Sequence, residues 1–269
     1  MRLALLLGPY RNLTTLTASV LSLHPECQVL NHAADRILAD PAVNFFVDPR
    51  PEVLERFITA AVAASAGGRR GDFGGSILHS HAFDNDRLRE LYVDRYGDAT
   101  IKREATRLVW KDSMRIQRLL MAKPGLFECL CDVFDDLRFI LPIRAPADCA
   151  ASNLQTGHIA HLGGSRHDSP QAAIDRILDA HAFVLALADQ RPDRIFAFTQ
   201  EEAGTRTFEE MAGFLGVAPE ARWLGDVSTA WQMQRAYDHP ADVTAHVLTS
   251  ARTRLGRWPD VLRRMGIAP

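Results

Sequence analysis

Lysine is scarce in this chain. Of its 31 basic residues only Lys102, Lys111 and Lys123 are lysines, so any local anion site is expected to be built largely from the planar forks of arginine. Cysteine is scarce as well. Cys27, Cys129, Cys131 and Cys149 in 269 residues make no disulfide framework and fit a reducing compartment. Neither sign of charge prevails: a formal net charge of −2 gives no global attraction to nucleic acid or to an anionic membrane. No run approaches the roughly 20 apolar residues that cross a bilayer. The apolar start, Met1 to Gly8, lacks the length and cleavage region of a signal peptide. The expectation is a cytoplasmic protein with no membrane span and no nucleic-acid partner. Paired ligands at zinc spacing are missing too, since His79-Ser80-His81 and Cys129-x-Cys131 do not meet that pattern. No metal is expected.

What is present is an alternation of strand and helix. Residues 3–8, LALLLG, form a short continuous apolar run, the mark of a strand buried on both faces. A polar turn follows, then Leu13, Leu16, Val20 and Leu23 recur at helical spacing. QVL at 28–30, TRLVWKDS at 106–113, RFILPIR at 138–144 and RIFAFT at 194–199 read as further strands. Helices are predicted over 51–65, 146–154, 170–189 and 207–216. SILHSHAF fits either a strand or an ordered loop. Such alternation predicts an α/β fold with a central parallel sheet covered by helices on both faces. With no linker, repeat or low-complexity tract, residues 1–269 are expected to form one domain.

Ligands of open α/β sheets bind beyond the carboxyl ends of the strands, so the segment after the first strand, GPYRNLTTL, is the first place to look. Aligned on a nucleotide phosphate loop, G-x-x-x-x-G-K-[ST], Gly8 takes the first position and Leu13 the second glycine. Thr14 falls on the lysine and Thr15 on the final hydroxyl. Loss of that lysine opposes ordinary ATP or GTP hydrolysis. The amides of 11–15 at a helix amino terminus, the hydroxyls of Thr14 and Thr15 and the charge of Arg11 still make an anion cradle.

Arg11-Asn12-Leu13-Thr14-Thr15-Leu16, followed by LSLHPECQVL at 21–30, resembles the R-S-G-T-T-L loop and the "HPDV" stretch of sulfotransferases, especially the bacterial and tyrosylprotein types. A second segment carries the resemblance further: FILPIRAPADCAASNL places Ser152 eight residues after Arg144, with Pro146 between. The resemblance implies a three-layer P-loop-type fold and a sulfuryl donor, 3′-phosphoadenosine 5′-phosphosulfate (PAPS), as co-substrate. Arg11, Asn12, Leu13, Thr14 and Thr15 would hold its 5′-phosphosulfate end, and Arg144 and Ser152 its 3′-phosphate. Leu13 departs from the family glycine, and its Cβ opposes a positive φ there. SARTRLGRWPDVLRRMG is similar to the family's C-terminal "GRW" segment, which makes Arg252, Arg254 and above all Arg257 candidates for closing over the donor. LVWKDSMRI resembles a mid-chain "K-x-P" stretch, so Lys111, Ser113 and Arg115 are candidates for lining the site.

Transfer of a sulfuryl group needs a base at the acceptor and positive charge at the leaving phosphate oxygen. The tyrosylprotein enzymes carry a glutamate about twenty residues past the loop basic residue. Counting from Arg11 leads to Asn31 and His32 in QVLNHAAD. Histidine titrates near working pH, so His32 is the candidate base, with Arg11 as its catalytic companion and Asp35 in reserve. The loop at 155–169, with His158, His161 and His167, is a candidate acceptor lid. The acceptor is a small molecule, carbohydrate or peptide bearing a hydroxyl or amine. Two other readings stay open: a kinase-like phosphotransferase, and a fold relative that binds a nucleotide or partner without catalysis.

Overall fold

In the computed structural model, which describes residues 1–69, 74–231 and 237–268, six strands form one sheet in the order β3-β2-β4-β1-β5-β6. The first half of the chain runs β1 (Arg2–Leu6), α1 (Thr14–Leu21), β2 (Cys27–His32), α2 (Ala34–Ile37), α3 (Pro51–Ser65), β3 (Gly74–Ser76), α4 (Asp86–Tyr96), β4 (Arg107–Lys111), α5 (Ser113–Ala122) and α6 (Leu126–Val133). The second half runs β5 (Arg138–Ile143), α7 (Pro146–Thr156), α8 (Pro170–Gln190), β6 (Ile195–Thr199), α9 (Thr205–Leu215), α10 (Ala221–Trp231), α11 (Ala241–Leu255) and α12 (Pro259–Arg264). Ser76–Phe83 is neither a full strand nor a plain loop: β3 gives way to two 3₁₀ turns, Ile77–His79 and His81–Asp84.

The α/β fold expected from the sequence is present, with one difference. Five strands are parallel, but β3 pairs antiparallel with β2 at the sheet edge. The apolar strands alternate their side chains between the two faces, as the pleat requires. Leu3, Leu5, Leu108, Trp110, Phe139 and Leu141 belong to a core shared with α3, α5, α6, α7 and α8. Ala4, Leu6, Val29, Val109 and Ile140 face the opposite core under α1, α4, α9 and α10. Pro142, which lacks an amide hydrogen, sits in β5 opposite Phe198. Beside it β1 has already ended, since Leu6 is level with Ile140, so no ladder bond to β1 is forfeited there.

From β1 the chain steps over β4 to β2, returns to β4, and then passes to β5 on the other side of β1. The sheet therefore reverses its winding at β1. The crevice at such a point, outside the carboxyl ends, is where this architecture binds ligands. No helix among the described residues is long and apolar enough to cross a membrane.

Candidate active site

The loop leaving β1 is fixed from beneath by amides. Gly8 has φ +114°, and a Cβ on it would stand 2.7 Å from Asn12 Nδ2. Its N–H donates to Gln117 Oε1 at 3.0 Å, and Gln117 Nε2 donates to the Ala180 carbonyl at 2.9 Å. Asn12 is fully buried. Its Nδ2 donates to the Pro142 carbonyl, while its Oδ1 accepts from the Arg144 amide at 2.9 Å and from His181 Nε2 at 3.2 Å. The Asn12 side chain is thus a strut between the loop, β5 and α8 and does not face the cavity, because an amide can satisfy donor and acceptor groups together where a ligand contact would leave them unpaired.

Above this base the backbone takes positive φ at Arg11 (+62°) and Leu13 (+63°), with Asn12 between. Leu13 keeps the left-handed geometry its Cβ opposes, at a cost of roughly 1–2 kcal/mol, while its half-buried side chain packs against the α1 core. Thr14 opens α1, and its Oγ1 accepts from Ser113 Oγ at 3.2 Å. Arg11, Leu13, Thr14 and Thr15 all line one cavity of about 410 Å³.

The second anchor meets the first directly. Arg144 leaves β5 and lines the same cavity. Its Nη1 donates to the Arg11 carbonyl at 3.3 Å, Nη2 is 3.6 Å from Asp148 Oδ2, and its guanidinium lies 5.5 Å from the Tyr237 ring. Ser152 is buried on α7, and its Oγ accepts from Arg11 Nε at 2.8 Å. Two segments some 130 residues apart in sequence therefore converge on one place.

His32 ends β2, level with the end of β4, where Asn31 is opposite Lys111. Its backbone is left-handed (φ +57°), and its carbonyl accepts from Trp110 Nε1 at 2.7 Å. Asp112, fully buried, accepts from His32 Nδ1 and from the Ala34 amide, each at 3.1 Å. On the other side of the ring, Nε2 is 2.8 Å from Lys111 Nζ. Burial lowers the His32 pKa, and the charge of Lys111 pushes the same way against the hydrogen bond to Asp112. Burial also brings Lys111 down to about 8, with Asp112 opposing. The arrangement fits a neutral imidazole whose Nδ1–H is held by Asp112 and whose Nε2 lone pair accepts from an ammonium. Asp112 escapes sequence reasoning, because one aspartate after a strand has no signature until strand register brings it to His32. Asp35, the reserve base, is exposed and paired with Arg115 at 2.7 Å.

The wall beyond His32 comes from β3 and the turns after it. Gly74, at φ +131°, lies so close to the backbone of Ala33 that a Cβ would be 2.4 Å from it. His79 and His81 both reach the cavity, from successive turns and not from one strand. His158 lines it as well; Tyr10 packs on His158 and His161, with ring centroids 5.1 and 4.9 Å away. The expected C-terminal closure does not occur. Arg257 is 62% exposed and bonds to Asp189, in the last turn of α8 where the chain approaches the start of β6, at the edge of the sheet opposite the cavity. Arg254 pairs with Asp175 and Asp179 on α8, and Arg252 donates to the Ala268 carbonyl. The carboxylates of α8 draw Arg254 and Arg257, which bind α11 and its extension alongside that helix.

No family model matches the chain, and no curated protein does. Solved structures similar to it include a sulfotransferase from Alicyclobacillus acidocaldarius, at 16% identity and TM-score 0.49 over 97% of this chain and 95% of that one. A sulfotransferase from Mycobacterium avium is similar at 14% identity and TM-score 0.46 over 97% and 76%. The sulfotransferase domain from the curacin biosynthetic pathway is similar at 13% identity and TM-score 0.45 over 95% and 97%.

Proposed function

We propose that this chain is a sulfotransferase that moves a sulfuryl group from PAPS to a hydroxyl or amine acceptor, working as a single domain in the cytoplasm. The observation that carries the reading is the convergence of Arg11 and Arg144 at one cavity that also holds His32, with buried Ser152 directly behind, bonded to Arg11. Arg144 and Ser152 would take the 3′-phosphate. The amides of 11–15, with Thr14, Thr15 and Arg11, would take the 5′-phosphosulfate, with Lys111 at the group being transferred.

The reaction is an in-line displacement at sulfur. The acceptor oxygen or nitrogen forms a bond to sulfur as the bond from sulfur to the phosphate oxygen breaks, and 3′,5′-adenosine diphosphate leaves. His32 Nε2 takes the acceptor proton, with Asp112 stabilising the imidazolium. Nε2 is free to do so only when Lys111 turns its Nζ away from it. Lys111 is then placed to neutralise negative charge on the sulfuryl and leaving oxygens, the kind of preorganised stabilisation that contributes most to such steps. A metal-dependent phosphotransferase fits less well, because no carboxylate among the described residues lines the cavity to hold magnesium.

Thermal-shift titration with 3′,5′-adenosine diphosphate tests the donor half. A ligand at a hundred times its Kd adds about 2.7 kcal/mol of stability. Arg144→Ala should weaken binding roughly 10- to 150-fold, the equivalent of a lost charge-assisted hydrogen bond of about 1.5–3 kcal/mol. Equal affinity in the variant, or no shift in the native chain, ends the proposal. An acceptor screen with labelled donor tests the other half.

A further inference from the structure

Arg144 is held from behind, on the side away from the cavity. Asp148 lies in the first turn of α7, where the helix dipole favours a negative charge. It is 6% exposed and does not line the cavity. Its two carboxylate oxygens face different partners. Oδ2 is 3.6 Å from Arg144 Nη2, and Oδ1 is 2.7 Å from His239 Nε2. One turn further along the helix, Ser152 accepts from Arg11. One face of α7 thus holds both arginines assigned to the donor.

His239 comes from elsewhere in the chain, in the segment 237–240 that leads into α11. Its side chain is 18% exposed, so protons reach it from solvent. In the same segment Tyr237 lies against the Arg144 guanidinium, its ring 6.2 Å from that of His239. Arg144, Asp148, His239 and Tyr237 therefore form a ring of neighbours. The other charges around it are Arg11 on the loop from β1 and Glu201 after β6. Burial raises the Glu201 pKa, and the charges of Glu202 and Asp148 add to the rise. Asp238 and Asp242, beside His239 in the chain, are exposed. Of these residue types only histidine ordinarily changes charge between about pH 5 and 8.

A phosphate docking on Arg144 brings up to two negative charges to a guanidinium that a carboxylate already faces. A proton on the far side of that carboxylate offsets them. We infer that Asp148 and His239 are positioning residues for Arg144, and that the donor's 3′-phosphate binds together with a proton taken up by the His239 ring. Phosphate and proton then favour one another to the same degree. The placement of the 3′-phosphate at Arg144 rests on the sulfotransferase reading; the link between anion and proton does not.

The test uses the full chain with ¹⁵N-labelled histidine, titrated from about pH 5 to 9. It is run without ligand, saturated with 3′,5′-adenosine diphosphate, and saturated with adenosine 5′-monophosphate, which lacks the 3′-phosphate. The ring signal missing from His239→Gln identifies His239. It should titrate about one pH unit higher with the diphosphate, equivalent to a tenfold gain in affinity, and stay near its ligand-free position with the monophosphate. His239→Gln keeps a donor for Asp148 but takes no proton. Between pH 8 and 6 the affinity of the native chain for the diphosphate, measured by calorimetry, should therefore gain about tenfold on that of the variant. An unmoved His239, equal shifts with the two nucleotides, or the same pH dependence in His239→Gln would overturn the inference and leave the donor reading standing. If 3′,5′-adenosine diphosphate fails to bind, the donor reading falls instead. Inorganic phosphate then decides the link, since saturation with it must still move the His239 titration to higher pH.

Discussion

Lys111 is the residue whose removal says most about the proposed chemistry. It holds a positive charge 2.8 Å from the ring nitrogen that would accept the proton. Two unit charges at that distance repel by about 1.5 kcal/mol at the dielectric of water and about 6 kcal/mol at an effective value of 20. One pK unit is 1.36 kcal/mol, so Lys111→Met should raise the His32 pKa by at least about one unit. In the native chain kcat/KM should describe a bell. Its acid limb lies below the ordinary histidine value of 6.5, because His32 is depressed and must be neutral to act. Its alkaline limb lies near 8, where Lys111 loses its charge. Lys111→Met should lose the alkaline limb, move the acid limb to higher pH and lower kcat about 10²–10³-fold, the usual cost of losing one preorganised charge. Lys111→Arg should lose the alkaline limb while keeping the charge. Initial rates of 3′,5′-adenosine diphosphate release between pH 5 and 10 give the profile, and histidine ring ¹⁵N shifts give the His32 titration without turnover. An acid limb that stays put or moves to lower pH in Lys111→Met would refute the coupling.

Three further outcomes follow from the fold. His181 is fully buried with its pKa lowered by burial to about 4. The unfolded chain therefore binds the extra proton first, and stability should fall as pH drops from about 6.5 towards 4, by roughly 3 kcal/mol from this group. His181→Gln, which can still donate to Asn12, should flatten that slope in urea titrations, and an unchanged slope would place its origin elsewhere. Buried Lys102 donates to the carbonyls of Ser22, His24 and Cys27. Lys102→Met orphans all three and should cost about 3–5 kcal/mol by urea denaturation, where a loss under 1 kcal/mol would contradict the account. Gly8→Ala meets Asn12 at φ +114° and should cost on the order of 1–3 kcal/mol together with affinity for 3′,5′-adenosine diphosphate. Retention of both would show that the loop tolerates the side chain.

The strands that position the cavity are legible because parallel strands buried on both faces must be apolar along their buried length, as LALLL at 3–7 and FILPI at 139–143 are. β3 is not legible: Gly-Gly-Ser has no apolar pattern, and its pairing is set by how closely it can approach β2. His32 can be reached by counting along the chain from Arg11. Of its two partners Lys111 is flagged by the LVWKDSMRI stretch, but Asp112 is not, since only strand register brings the residue after β4 to His32. Arg257 looks from sequence like a lid residue, whereas Asp189 on a neighbouring helix determines where it goes. A signal for the helix pairing exists in Asp175 and Asp179, one turn apart on α8, which Arg254 bridges. Asn12 reads as part of the phosphate loop by position, but its amide serves the loop from the inner side.

The contact between Gly74 and Ala33 ties two parts of the cavity that chemistry would keep separate. The strand that carries the far wall touches the residue immediately after the proposed base, with no side chain between to absorb a displacement. A change in the chain entering that wall, made to admit a bulkier partner, would be transmitted to the imidazole within a single residue. Altering what the protein accepts and altering how fast it reacts would then be hard to do independently, and variants selected for a new acceptor should often show a shifted acid limb as well.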